Sequence, residues 1–325
     1  TAGFCFGVSR AVNMTEELAK SGAKVATMGP LIHNTQAVKA LEDLGVITLD
    51  GVDAPAGYEV VLRSHGVEKS VCDYYRRHGI TVHDATCPYV KKIHRIAEKT
   101  GKDGRVLLVA GDKTHPEVQG IVSYTDGEVF TFNEPAELEE WLNIADNRTK
   151  KANLVAQTTY MLKKWDEITF LVKKLCTNCE IFDTICRATE ERQTEAAELA
   201  KQNDLMIVIG GRHSSNTQKL VRVCSEYCKT ISIETVKELS PELFINIKNV
   251  GVTAGASTPA FIIQEVLNNM SEEIREDGKS FEEMLNESYA NQQRVFRGAK
   301  VKGIVTGIQG NEVTVDIGTK HTGFI

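Results

Sequence analysis

Residues 82–117 read V-H-D-A-T-C-P-Y-V-K-K-I-H-R-I-A-E-K-T-G-K-D-G-R-V-L-L-V-A-G-D-K-T-H-P-E. A short β-rich run ends in Asp84-x-x-Cys87, a helix-forming segment follows, and the apolar strand Val106–Val109 leads to Gly111 and His115. Gly111 lies 24 residues after Cys87, and His115 four further on. The same intervals connect Cys5, Gly29 and His33, and again Cys186, Gly210 and Ser214. A third landmark closes each unit: Thr158 lies 71 residues after Cys87, Ser257 lies 71 after Cys186, and His65 lies 60 after Cys5. The elements repeat with the landmarks. E-I-F-D-T-I-C precedes Cys186 as I-T-V-H-D-A-T-C precedes Cys87, whereas only four residues stand before Cys5. After Cys5, the apolar residues Val8, Ala11, Val12 and Leu18 fall at helical spacing. Apolar strands at 24–28, 106–109 and 205–209 come next, then a second helix, a second strand and the polar turn.

Strands alternating with helices predict parallel sheets covered by helices. The chain therefore reads as α/β, with three repeated subdomains at about 1–87, 88–180 and 181–270, each with a small parallel sheet, around a pseudo-threefold axis. Ligands of open parallel sheets sit at the carboxyl ends of the strands, where all nine landmarks fall. Packed around one axis, the units bring Cys5, Cys87 and Cys186 together, each at the start of a helix that favours a thiolate.

Three thiolates suit a 4Fe-4S cluster with one iron free of protein, or zinc with water as fourth ligand. Three equivalent turns match three corners of a cube, so one cluster per chain is the preferred reading; cup histidines that complete a zinc site keep zinc as the alternative. Cys176 and Cys179 form a C-x-x-C close to Cys186, but they fall outside the repeat and read as incidental surface thiols. Cys224 and Cys228, one turn apart on a helix, and Cys72 on another, read as packing residues.

Around the cysteines, His33, His65, Ser214, Ser215, Asn216 and Ser257 are neutral or weakly basic donors near helix N-termini. They suit a phosphate or diphosphate, although hydroxyl and amide side chains there are also ordinary helix caps. Basic residues in these turns are limited to Arg63, Lys113 and Arg212. His115-Pro116-Glu117 is the sharpest acid–base candidate, with Thr158 and Thr159 placed to relay a proton.

Composition is compatible with this reading. The 325 residues are 42% hydrophobic and 25% charged, with net charge −6 and eight cysteines. The negative charge argues against nucleic-acid binding by the main body, and the cysteines point to metal or redox chemistry. No apolar run of about 18 residues and no secretory signal are read, so no membrane partner is expected and cytoplasm is the default compartment. No G-x-G-x-x-G follows a strand, which speaks against direct NAD(P)H binding.

The motifs F-C-F-G-V (4–8), S-H-G-V (64–67), D-A-T-C-P (84–88), H-P-E (115–117), Q-T-T (157–159), S-S-N (214–216) and T-A-G-A-S (253–257) occur in order. This series closely resembles the 4-hydroxy-3-methylbut-2-enyl diphosphate reductase (IspH/LytB) family over residues 1 to about 270. The resemblance implies three α/β subdomains around a 4Fe-4S cluster held by Cys5, Cys87 and Cys186. It implies diphosphate binding by His33, His65, Ser214, Ser215, Asn216 and Ser257, with His115 near the substrate. Glu117 resembles the family's proton donor and Thr158 the residue beside the substrate hydroxyl. The implied reaction is a two-electron reductive dehydroxylation of an allylic diphosphate, the last step of the non-mevalonate isoprenoid pathway. It gives isopentenyl and dimethylallyl diphosphate, with ferredoxin or flavodoxin as electron donor. A binding protein with a structural or sensing cluster is the competing class, and it would need no acid at Glu117.

Residues 271–293 read as a charged linker with partial helix, interrupted at Gly278. Residues 294–325 alternate apolar and polar around a turn at Gln309-Gly310-Asn311, with five Lys or Arg against two acids. G-x-V-T-x-I and V-D-I-G-x-K-x-x-G-F-I resemble the first strands of an S1 RNA-binding domain, the start of an all-β OB-type barrel. RNA is the partner that resemblance implies, with Phe324 a candidate to stack a base.

Overall fold

The structure is a computed structural model that describes residues 2–144, 146–273, 304–309, 312–316 and 322–324. The chain divides into two compact units, Thr1–Gln264 and Glu265–Ile325.

In the first unit, apolar runs become strands and the amphipathic segments between them become covering helices. The chain runs α1 (Phe6–Lys20), β1 (Val25–Met28), α2 (Thr35–Glu42), β2 (Ile47–Leu49), β3 (Glu59–Leu62), α3 (Lys69–Arg77) and β4 (Val82–Asp84). These strands form a parallel sheet of order β2-β1-β3-β4. The path repeats in α4 (Pro88–Lys102), β5 (Val106–Ala110), α5 (Pro116–Ser123), β6 (Val129–Phe132), α6 (Pro135–Asn143), β7 (Ala152–Ala156), α7 (Leu162–Leu175) and β8 (Cys179–Ile181). Its sheet has the order β6-β5-β7-β8, again parallel, so β8 carries the chain past residue 180 within this second sheet. The third pass is α8 (Arg187–Ala200), β9 (Leu205–Ile209), α9 (Ser215–Ser225), β10 (Lys229–Ile233) and β11 (Val250–Ala254), with order β10-β9-β11. The turn after β11 leads into α10 (Ala260–Glu273).

Each sheet places the strand that follows its cysteine helix in an interior position. β5 and β9 are buried at every residue, as continuous apolar runs require when both faces are covered. On one face of the second sheet Leu108 and Leu154 pack with Trp141, Trp165 and Ile168. On the other, Leu107 and Val109 meet Ile93 and Ile121.

The structure adds elements the apolar pattern passes over. β2, β6 and β10 are short edge strands, mostly half-exposed, and they fall between the one helix and one strand that the repeat assigns to each unit after its glycine. Cys176 corrects the expectation of a surface thiol: α7 ends at Leu175 and the turn into β8 tucks Cys176 into the core against Trp165 and Val172, with Cys179 partly buried beside it. Cys224 is buried in α9, but the helix stops at Ser225, so Cys228 lies outside it and the pair does not share one helix. Cys72 packs on α3 against the first core, as expected.

The described strands of the second unit are β12 (Ile304–Gln309), β13 (Glu312–Asp316) and β14 (Thr322–Phe324), an antiparallel meander in which Gln309 pairs with Glu312. Of the expected linker, 274–293 lies outside the described residues, as does the Phe324 side chain. Among the described residues, no helix is long and apolar enough to cross a membrane.

Candidate active site

Cys5, Cys87 and Cys186 are the N-cap residues of α1, α4 and α8, and none spends its side chain on the cap. All three are free thiols lining one cavity of about 110 Å³. Their backbones close a ring: the N–H of Cys87 donates to Ser64 O at 2.8 Å, that of Cys186 to Thr158 O at 3.0 Å, and that of Cys5 to Ala256 O at 3.1 Å. Each acceptor stands two residues beyond the end of its strand, β3, β7 or β11. The hydrogen bonds therefore make Thr159 the counterpart of His65 and Ser257. Equal spacing from the cysteines had pointed to Thr158, one residue short, because pairing sets the register and counting does not.

Gly7 shows how tightly the cysteines are approached. A Cβ built there would lie 2.7 Å from Cys87 Sγ, so only glycine lets α1 pass the thiol. Burial pushes the Cys87 thiol up to about 11, against the pull of the Tyr89 N–H at the helix start. Cys186 is raised by burial as well, against the Ala188 N–H. The expected lowering at helix termini is thus present but outweighed by desolvation.

The same cavity is lined by His33, His65, His115, Glu117, Thr158, Ser214, Ser215, Asn216 and Ser257. His33 and His65 stack with ring centroids 4.4 Å apart, and His115 lies 5.3 Å from His33. Burial is the main reason all three are neutral: it lowers His33 to about 4, His115 to about 3, and His65 well below its ordinary value. His115 caps α5, its Nδ1 accepting from the Glu117 N–H at 3.1 Å. In the neutral ring the proton therefore sits on Nε2. His115 Nε2, His33 Nε2 and Asn216 Nδ2 are buried with no hydrogen-bond partner. Buried polar nitrogens left without partners mark where a ligand's acceptors belong.

Glu117 is 2% exposed. Its Oε1 accepts from the Thr158 N–H at 2.7 Å and its Oε2 from the Thr158 hydroxyl at 2.9 Å. Burial raises the carboxyl above its ordinary range, against these two bonds and the Lys219 charge. Ser214 caps α9 through the Thr217 N–H, and Ser257 Oγ donates to His33 O at 3.1 Å across the joint between the first and third repeats. At that joint a Cβ on Gly211 would fall 2.6 Å from His33 O, so the backbones meet without an intervening side chain. Of the basic residues noted in these turns, Arg63 lies behind the histidines, its Nε donating to Gly66 O at 2.8 Å, and Arg212 is engaged outside with Glu238.

The sequence that builds this site matches a known family over most of its length. The LytB protein family profile matches residues 1–271. The chain belongs to the LytB family.

Among curated LytB relatives, the 4-hydroxy-3-methylbut-2-enyl diphosphate reductase of Thermoanaerobacter sp. (strain X514) is 40% identical over 283 residues, 85% of this chain and 96% of its own. That of Clostridioides difficile (strain 630) is 43% identical over 271 residues, 82% of this chain and 95% of its own. A solved structure of (E)-4-hydroxy-3-methyl-but-2-enyl diphosphate reductase, the terminal enzyme of the non-mevalonate pathway, is 39% identical with a TM-score of 0.61, covering 83% of this chain and 96% of that one. The structure of E-1-hydroxy-2-methyl-but-2-enyl-4-diphosphate reductase from Plasmodium falciparum is 26% identical with a TM-score of 0.77, covering 90% and 97%.

Two site residues of this LytB chain escaped the sequence reading. Gln157 Nε2 donates to Ser215 Oγ at 3.3 Å, and Lys219 Nζ donates to the same oxygen at 2.9 Å. The cluster of neutral histidines also has a thermodynamic signature. His33, His65, His94 and His115 all have folded pKa values below the unfolded value, so their contribution is fully present above pH ~6.5 and is lost as pH falls toward 4. Glu117, shifted upward, acts with the opposite sign at the low end of that window. Urea unfolding at pH 7.5, 6 and 5 is expected to show stability falling with a slope equivalent to about three protons near pH 5. A flat profile would contradict the burial of these rings.

Proposed function

We propose that this LytB-family chain is a 4-hydroxy-3-methylbut-2-enyl diphosphate reductase that binds a 4Fe-4S cluster on Cys5, Cys87 and Cys186. The observation that carries the reading is one cavity lined by three free thiols, a buried carboxyl and His33, His115 and Asn216, each of which holds a buried side-chain nitrogen without a partner. The cysteines fit such a group: each thiol leaves its helix cap open, and the missing side chain at Gly7 clears Cys87 Sγ. When bound, the cluster supplies electrons singly and a Lewis-acidic iron.

The protein's own groups do the rest. Nε2 of His33 and His115, Nδ2 of Asn216, His65 and the hydroxyls of Ser214, Ser215 and Ser257 bind the diphosphate as neutral donors. They hold the C5 chain across the cavity with its hydroxyl end toward the thiols. Burial raises the proton affinity of Glu117, which makes it the proton source, and Thr158 Oγ1 passes the proton to the leaving hydroxyl. Two electrons and two protons convert the allylic alcohol to product and water. The remaining proton enters at either end of the allyl unit, giving isopentenyl or dimethylallyl diphosphate. Ferredoxin or flavodoxin is the natural donor we propose, and cytoplasm the compartment.

Anaerobically purified protein with dithionite-reduced methyl viologen and the hydroxylated diphosphate is expected to form both products, told apart by NMR because they are isomers, consuming two electrons per product. Iron-loaded protein that binds the substrate but forms neither product would overturn the assignment.

A further inference from the structure

We infer that Lys219 is a positioning residue that sets the preference for a diphosphate by charging the phosphate end of the cavity through the hydroxyl of Ser215. The inference rests on the diphosphate reading above.

Lys219 follows Ser215 by four residues on α9, so one helix face carries both. Its Nζ donates to Ser215 Oγ at 2.9 Å and lies 5.6 Å from the Tyr160 ring centroid. The residue is half-buried, and among the described residues its ammonium has no carboxylate ion-pair partner. Its neighbours differ: Lys163 pairs with Glu226 and Lys164 with Glu134. Burial lowers Lys219 to about 8, and the charges of Glu117 and Asp112 offset this only in part. A partly desolvated cation held only by a hydroxyl and a ring face is unfavourable unless an anion joins it.

Ser215 explains how the charge is transmitted. Its oxygen is approached by Lys219 Nζ, by Gln157 Nε2 at 3.3 Å and by Thr159 Oγ1 at 2.9 Å. The ammonium and the amide N–H groups can only donate, and they fill the two acceptor sites of the hydroxyl. The Ser215 proton must then point outward, to Thr159 Oγ1 in the free protein or to a ligand oxygen after rotation. An O–H polarised by a cationic donor is a stronger donor than an isolated serine.

The location is also right. A second cavity of about 360 Å³ shares His33, His115 and Ser215 with the first, includes Lys219 and Arg222, and touches none of the three cysteines. Lys219 therefore borders the end of the site away from the thiols. The three histidines are neutral, so they bind phosphate oxygens without weighing the ligand's total charge. The Lys219 ammonium adds an attraction that grows with that charge.

Isothermal titration calorimetry on the iron-loaded holoprotein, with inorganic diphosphate and inorganic phosphate as probes, tests this in wild type, Lys219→Met and Lys219→Arg. Lys219→Met is expected to raise the diphosphate Kd about 10- to 100-fold, the loss of one charge-assisted contact, and the phosphate Kd much less. KM for the allylic diphosphate should rise with it, while kcat stays within about threefold and Lys219→Arg restores most of the affinity. Unchanged diphosphate affinity in Lys219→Met overturns the role. So does Lys219→Arg binding as weakly as Lys219→Met, because packing on Tyr160 rather than charge would then be responsible. Wild-type protein that binds no diphosphate sinks the underlying reading instead. Lys219→Gln carries the same comparison if Lys219→Met does not fold.

Discussion

Cys87→Ser protein purified without oxygen is expected to retain almost none of the roughly four irons per chain that the proposed 4Fe-4S cluster would bring to the wild type. Cys5→Ser and Cys186→Ser should behave alike, because the three residues occupy equivalent N-caps and line one cavity. The serine oxygen is a poor substitute for a soft thiolate, and the remaining pair cannot anchor a cube at three corners. Iron and acid-labile sulfide analysis with EPR or Mössbauer spectra reads the outcome. The control is Cys176→Ser with Cys179→Ser. Cys176 lies in the core beside Trp165 and Val172, so this pair should change thermal stability and leave the iron in place. Iron that survives the first three replacements and disappears with the control pair would dismantle the site. Stoichiometric zinc would return the chain to hydrolytic chemistry.

Glu117→Gln should lower kcat by about 10² to 10⁴-fold while iron content and substrate KM change little. The amide keeps an oxygen to accept the Thr158 N–H that Oε1 receives at 2.7 Å, so the turn at Thr158 is held. What it cannot do is release a proton. Burial raises the carboxyl above its ordinary range, which suits it to hold a proton for release, and Thr158 Oγ1 at 2.9 Å is the first receiver. Full turnover in Glu117→Gln would remove the acid from the mechanism and favour a cluster that senses or stabilises.

The parts of this arrangement that were legible in the sequence are local. An apolar run, an Asp-x-x-Cys and a helical stripe lie within a few residues of one another, so the strand–cysteine–helix step at Cys87 and Cys186 is written in contiguous text. The cup followed from repeating that step three times. Register across the sheet is not local: Thr158 looked equivalent to His65 and Ser257 until the hydrogen bonds of Cys87, Cys186 and Cys5 showed Thr159 in that place. Lys219 was hidden for a related reason. It belongs to no motif turn, and its only signal is the four-residue step from Ser215, which counts only once a helix is known to begin there. Cys176 misled because it falls outside the repeat, whereas the chain folds its thiol into the core beside Trp165 and Val172 of α7.

The ring of hydrogen bonds through the cysteines has unequal joints. At two of them the polypeptide itself passes through, β4 running into Cys87 and β8 into Cys186. At the third, contacts bridge long stretches of chain: Arg192 to Gly3 O across 189 residues, and Ser257 to His33 O across 224. Two joints are thus local in sequence and one is a clasp between distant segments. Contacts so far apart along the chain close much longer loops than the steps into Cys87 and Cys186, so the clasp shuts last as the three repeats come together.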